Sequence, residues 1–392
     1  MCLTPVRALG QIDPVNRQLV QLGYNAAFEG HAPLSAYAFY YLNQPDFLQH
    51  TNLTLRLAVA PTYIDSELGI SHALGENTDF GLGVAGGGFA DSYNEIDQGT
   101  YLPEQSFDGH GGEVSASVYH LFNPGQLIPL NGLLRGIAHY STYTPTDETD
   151  PKFRVPDDMG IFSVRTGLRW GGREPTLFPA LAMELSAWYE GSFRTKADGY
   201  GYDDRQVESQ SHLFWGEAYL AYTLPESQHS FSLNLTAGTS LGADRLSAYR
   251  LGGFLPLVAE YPLWLPGYYY QELSARQFVL INGNYMFPLD HHHRWNVIAT
   301  AATAWVDYLP GLSQPGNWNS GLGAGVFYTS PTWRVLVGYG YGVDAIRSDG
   351  RGAHSIGFLL QFDLSHAKEA FLKTPSTGGW QGLQRVLGVL RD

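Results

Sequence analysis

The residue types best suited to chemistry sit in four places. Asp290-His291-His292-His293 sets an acid beside three imidazoles, the donor types of a transition-metal site. Gly81-Leu82-Gly83-Val84-Ala85-Gly86 matches the GxGxxG pattern that cradles a pyrophosphate. His139 lies two residues from Ser141, a base near a hydroxyl. Glu184, Glu190, Glu217 and Asp307 are acids set among apolar residues. Each has a plainer reading. Three adjacent histidines in a short turn beside Arg294 seldom converge on one metal, and surface histidines are expected. The glycine run lies inside an alternating strand with no helix after it, so no nucleotide site is expected. There is no GxSxG elbow and no HExxH helix. No catalytic residue, metal ligand or cofactor-binding residue is therefore assigned, no cofactor is expected, and the chain is not expected to be an enzyme.

The elements that would position such residues are strands. The 392 residues include 46 Gly, 25 Tyr, 20 Phe and 9 Trp, with only 15% charged. Mean hydropathy is -0.17, and no run of about 18 apolar residues occurs, so no transmembrane helix is expected. An all-β transmembrane antiparallel barrel reconciles these facts, because lipid-facing and lumen-facing residues alternate and average out. The formal net charge of -14 excludes a basic stripe for nucleic acid. The single cysteine, Cys2, excludes an internal disulfide. It reads as a stray thiol or, alternatively, a lipidated mature N-terminus. Residues 1–17 lack the apolar core of a secretory signal, so the membrane reading requires that a signal was removed.

Along the chain, residues 1–32 read as an N-terminal plug or periplasmic segment, 33–365 as the barrel and 366–392 as a partly helical tail. Leu34–Asn43 reads as the first strand. Alternation is cleanest at Phe231, Leu233, Leu235 and Ala237 against Ser232, Asn234, Thr236 and Gly238. Leu181, Met183, Leu185 and Ala187 oppose Glu184, Ser186 and Glu190 in the same way. Short turns (75–77, 225–227, 289–293, 330–332) alternate with long polar loops (94–109, 144–157, 195–206, 242–267, 309–316), the parity of an outer-membrane barrel. The count is about 14 strands. Splitting the second segment at Pro61 and adding a strand near Leu19–Phe28 gives 16. In the tail, Trp380, Leu383, Leu387 and Leu390 recur at helical spacing, as an amphipathic or partner-binding segment or a partly ordered end.

Residues 250–364 resemble the barrel of the bacterial surface-antigen, or BamA/TamA, superfamily and its two-partner-secretion relatives. The loop tip Leu265-Pro266-Gly267-Tyr268 stands where that family carries a Val-Arg-Gly-Phe/Tyr motif on a lumen loop followed by five strands. Proline replaces the family's arginine, whose contact to the inner wall proline cannot make; Arg250 is the candidate substitute. Trp305-Val306-Asp307 resembles the family's wall partner Phe-x-Asp-x-Gly without its glycine. Ser320–Pro331 resembles its glycine-rich strand and Ser-Pro turn. Ser355, Gly357, Leu360 and Phe362 fit the signal by which barrels are assembled, a pattern of outer-membrane barrels in general.

The resemblance implies insertion or translocation of proteins, or lipids, at the bacterial outer membrane. Outer-membrane lipid, the barrel-assembly machinery during biogenesis and a protein cargo are the partners it implies; nucleic acid is not. The expected mechanism is a weak seam in which Leu34–Asn43 pairs with Ala353–Leu364, shortened by Gly357, with loop 242–267 braced against the wall at Asp307. The lumen acids then face cargo or ions, or are simply solvated. A passive channel or hydrophobic small-molecule transporter, a barrel lipid hydrolase and a structural anchor remain alternatives.

Overall fold

The computed structural model describes residues 15–172, 181–253, 263–348 and 350–366. Cys2 and the helical pattern at Trp380–Leu390 lie outside those residues. Among the described residues, sixteen strands form the wall: β1 (Arg17–Ala27), β2 (Ser35–Pro45), β3 (Leu53–Val59), β4 (Tyr63–Gly75), β5 (Thr78–Gly87), β6 (Phe107–Leu121), β7 (Leu130–Pro145) and β8 (Met159–Gly172). They continue with β9 (Leu181–Arg194), β10 (Gln210–Thr223), β11 (Ser230–Leu241), β12 (Leu273–Pro288), β13 (Trp295–Tyr308), β14 (Trp318–Thr329), β15 (Trp333–Arg347) and β16 (Gly350–Asp363). Each pairs antiparallel with the next, and β1 pairs with β16, so the sheet closes.

The larger strand number is the observed one. Arg17–Ala27 is a wall strand, so the barrel begins near residue 17 rather than 33. Pro61 ends one strand and opens a tight turn before the next, because it has no N–H to give a ladder. The closing partner of β16 is therefore β1, from Leu19 opposite Asp363 to Ala27 opposite Ser355, and not Leu34–Asn43. The start of β1, the end of β16 and the short turns share one end, here the turn end. The long connections 88–106, 146–158, 195–209 and 242–272 share the other, the loop end.

The sheet is inside out relative to a water-soluble one. On β11, Leu233 is 55% exposed while Asn234 beside it is 7% exposed. Leu82, Val84, Leu185, Leu220, Val326 and Val337 also face out, whereas Glu67, Ser163, Glu184, Glu217 and Thr236 are buried. Leaving a Leu or Phe side chain in water forfeits about 1.5–3 kcal/mol each, so this wall requires an apolar surrounding. Closure leaves no unpaired sheet edge along most of the wall, as a bilayer demands. Aromatic pairs stand at the turn end: Trp295 with Tyr328 at 4.9 Å and Trp333 with Phe362 at 4.2 Å between ring centroids. The amphipathic Trp and Tyr rings among them suit a membrane interface. No helix among the described residues is long and apolar enough to cross a membrane.

Among the described residues a small apolar cluster, Met286, Ile298, Phe327, Leu336 and Leu359, lies near the turn end, and two larger cores lie towards the loop end. One joins loop residues Tyr249, Leu251, Leu263, Leu265 and Tyr268 to Phe278, Leu280, Ala304 and Val306 of the inner wall. The other, built from Tyr93, Phe107, Tyr143, Phe153, Tyr200 and Val207, knits the outer loops into a cap.

Candidate functional site

The site is the loop that follows β11. Tyr249–Leu251 adds a short strand beside Leu273–Ala275 of β12, and the chain then turns into the lumen. Its tip presses on three adjacent strands. A Cβ at Gly321 of β14 would lie 2.2 Å from the Pro266 carbonyl oxygen. A Cβ at Gly267, whose φ is +83°, would lie 1.8 Å from the Gly342 nitrogen on β15. Only glycine allows either approach. The Gly267 N–H donates to Ser355 Oγ on β16 at 3.2 Å. The tip, Leu265-Pro266-Gly267-Tyr268, thus packs against Gly321 and Gly342 of the wall.

The charge that fixes it differs from expectation. Arg347, on β15, donates to both oxygens of Glu272 at 2.8 and 3.0 Å, and the two side chains are 2% and 0% exposed. Arg347 also donates to the Gly267 carbonyl at 3.3 Å and lies over the Tyr269 ring at 3.8 Å. The Tyr269 N–H donates to Glu272 as well, at 2.7 Å. The wall supplies the cation and the loop supplies the acid, so Pro266 costs no contact. A buried, bidentate and stacked guanidinium of this kind is a strong, geometrically specific tie.

Two assigned partners are corrected. Arg250 does not reach the inner wall; it donates to the Asn94 carbonyl at 2.7 Å, to the Gln271 carbonyl at 3.2 Å, and lies over Tyr93 at 4.7 Å. It ties the lumen loop to the cap. Trp305 and Asp307 are not wall partners of the loop. Ala304, Val306 and Tyr308 face inward, and period-two alternation puts 305 and 307 on the outside. Asp307 there accepts from Arg276 at 2.8 Å. On β16, Ser355, Gly357, Leu359 and Gln361 face inward, while Leu360 and Phe362 take the outer face with Ile356.

The cap closes the loop end. Glu95, 2% exposed, pairs with Arg205 and Arg245 at 3.2 Å each and accepts from the Tyr93 hydroxyl at 2.5 Å. Gly99 packs on the Ile346 carbonyl across the mouth. Below lies a cavity of about 1270 Å³ lined by residues such as Arg17, Gln21, Arg135, Asn234, Tyr270 and Gln361.

His139 and Ser141 do come together in the lumen, with Nε2 at 3.0 Å from Oγ and Glu113 3.4 Å from Nδ1. However, Asp91 Oδ2 lies 2.8 Å from Nε2 and accepts from Ser141 at 2.7 Å, so an acid sits between base and hydroxyl. The group tethers loop 88–106 to the wall. Burial alone would raise the Asp91 carboxyl; the His139 and Ser141 hydrogen bonds outweigh it and hold the carboxyl below its ordinary value. Asp290 accepts N–H bonds from Trp295 and His292, which lower its carboxyl and make it a turn cap rather than a metal ligand. No group of three or more metal-binding side chains is found among the described residues. The GxGxxG stretch is β5, with Leu82 and Val84 facing out.

No protein-family model and no curated protein matches the chain. Solved structures do. CdiB from Acinetobacter baumannii aligns with a TM-score of 0.57 at 9% identity, covering 89% of this chain and 60% of that one. CdiB from Escherichia coli gives 0.55 at 12%, covering 88% and 63%. BamA from Haemophilus ducreyi, lacking POTRA domains 1–3, gives 0.54 at 10%, covering 88% and 70%. The chain thus spans less than two thirds of the length of either CdiB. At such identities the likeness is one of fold, and the fold of this chain is the closed sixteen-strand barrel of the BamA and CdiB type.

Proposed function

We propose that this chain is an outer-membrane barrel that inserts polypeptide into, or passes it across, that membrane. One observation carries the reading: a lumen loop is locked by a buried ion pair to the strands that close the sheet, beneath a cap that shuts the loop end. A passive pore gains nothing from such bracing. The Glu95 cluster ties loops together across the mouth that a steady channel would need open. The likeness to BamA and CdiB barrels supports the same reading. Outer-membrane lipid surrounds the apolar wall, and Ser355, Gly357, Leu360 and Phe362 serve the machinery that assembles barrels.

The first test is reconstitution in proteoliposomes. We expect the chain to accelerate membrane insertion or protease-protected passage of an unfolded outer-membrane protein, with little conductance in planar bilayers. A large steady conductance with no effect on an unfolded client would overturn the reading in favour of a channel.

A further inference from the structure

The wall has a notch beside the seam. β2 pairs with β1 from Ser35 to Asn43, but with β3 only from Tyr40 to Pro45. The β3–β4 hairpin turns at Ala60–Tyr63, where Pro61 stops the ladder, and no described strand lies beside Ser35–Phe39 on that side. The gap lies in the apolar band. Ala38 stands opposite Leu22 and Leu22 opposite Leu360; Ala36 stands opposite Tyr24 and Tyr24 opposite Phe358. Across the gap, Val59 and Ile64 are exposed apolar side chains on the outer face. Backbone N–H and C=O groups left open in such a setting are costly and seek a partner. Ser35 Oγ, buried at the top of the same edge, also lacks one.

We propose that this edge accepts an extended segment of client polypeptide as an added strand. The inference rests on the function proposed above and locates its first contact. Only another extended backbone repeats donors and acceptors at the spacing of a strand edge; a lipid tail offers neither. Ala36 and Ala38 leave room on the outer face, and Tyr37 and Phe39, stacked at 5.8 Å, offer aromatic surface on the inner one. The seam is paired from Leu19 to Ala27, so addition there first requires those pairs to open, whereas addition at the notch displaces no strand.

The test places p-benzoylphenylalanine at Ala38 in the full chain, in lipid vesicles, with Ala36 as a second position and Leu235 on the fully paired β11 as control. The probe is a biotinylated peptide of the sequence Ser230–Leu241, chosen for its clean alternation. Folding of each variant is checked by heat-modifiable gel mobility. We expect labelling from Ala38 or Ala36 roughly tenfold above Leu235, abolished when alternate peptide nitrogens are methylated. Equal labelling by the methylated peptide means apolar contact without strand addition and overturns the proposal. Labelling confined to a seam position such as Tyr24, or no labelling by folded variants, also overturns it. An inactive chain that still takes the peptide at Ala38 fails the functional reading alone; an active chain that does not label there fails this inference alone.

Discussion

The two sides of the closing seam are built differently. On one side, β12–β16 are long and backed from within by the locked loop and its apolar core. On the other, β2 and β3 share only six facing positions, Tyr40–Pro45 against Thr54–Val59, and the connections 28–34 and 60–62 are short. A barrel of identical staves would open anywhere. This one concentrates buried contacts after the seam and leaves a free edge before it. Opening free energy follows local burial and pairing, so the N-terminal staves are the compliant ones.

That contrast breaks most sharply at Arg347. Replacing it with Met leaves Glu272 as an uncompensated buried charge, and about 3–5 kcal/mol of stability should be lost from the braced side. Urea unfolding measures the loss, and protease sensitivity within 242–272 shows that the loop has left the wall. Glu272→Gln in the same background should recover part of it, because the stranded charge is then gone. An Arg347→Met chain as stable as the parent would mean that the two sides are equally compliant. Next in size is Gly321→Val. The new methyls must displace the Pro266 carbonyl, an overpacking that costs about 1–3 kcal/mol and should release the tip without touching the ion pair. Hydrogen exchange at Ser35–Phe39 should stay unchanged in both variants, and faster than exchange in β15.

Acid provides a third test, at the tether of the cap. The Asp91 carboxyl is held below its unfolded value, so its contribution is present above about pH 4 and is lost as pH falls through the lower folded value. Cleavage of loop 88–106 by an acid-active protease should rise on going from about pH 5 to about pH 3, and Asp91→Asn should flatten that rise.

Much of the barrel was legible in the sequence because a wall strand writes its two faces in alternate letters: Phe231, Leu233 and Leu235 out, Ser232, Asn234 and Thr236 in. The tip Leu265–Tyr268 and the glycine at 321 were legible for a similar reason, since only glycine fits so close an approach. The lock was not. Alternation counted along β15 from Gly338, Gly340 and Gly342, which face inward, places Arg347 outside. The register shifts between Gly342 and Ile346, and that slip turns Ala345 and Arg347 inward. The bulge between Ala275 and Gln277 similarly moves the inward face of β12 from Leu273 and Ala275 to Phe278 and Leu280. Asp307 misled in the opposite sense: its letters matched a lumen partner, but the unbroken alternation of β13 turned it out. Arg17–Ala27 was weak as a strand because its inward residues are Arg17, Leu19, Gln21, Gly23 and Asn25, a face that mixes apolar with polar.

The smallest expected effect separates a resemblance of letters from a contact. Asp307 and Arg276 form a partly exposed pair at 2.8 Å, with side chains 29% and 50% exposed. Such pairs contribute under about 1 kcal/mol, because solvent screens them and two side chains must be ordered to hold them. Asp307→Asn should therefore shift urea unfolding by no more than that, leave protease protection of 242–272 intact and leave client insertion unchanged. Had Asp307 braced the lumen loop, the same substitution would match Arg347→Met in every assay. An effect of that size would put the brace at β13 and dissolve the contrast between the locked strands and the notched ones, since Arg347 would then be one support among several.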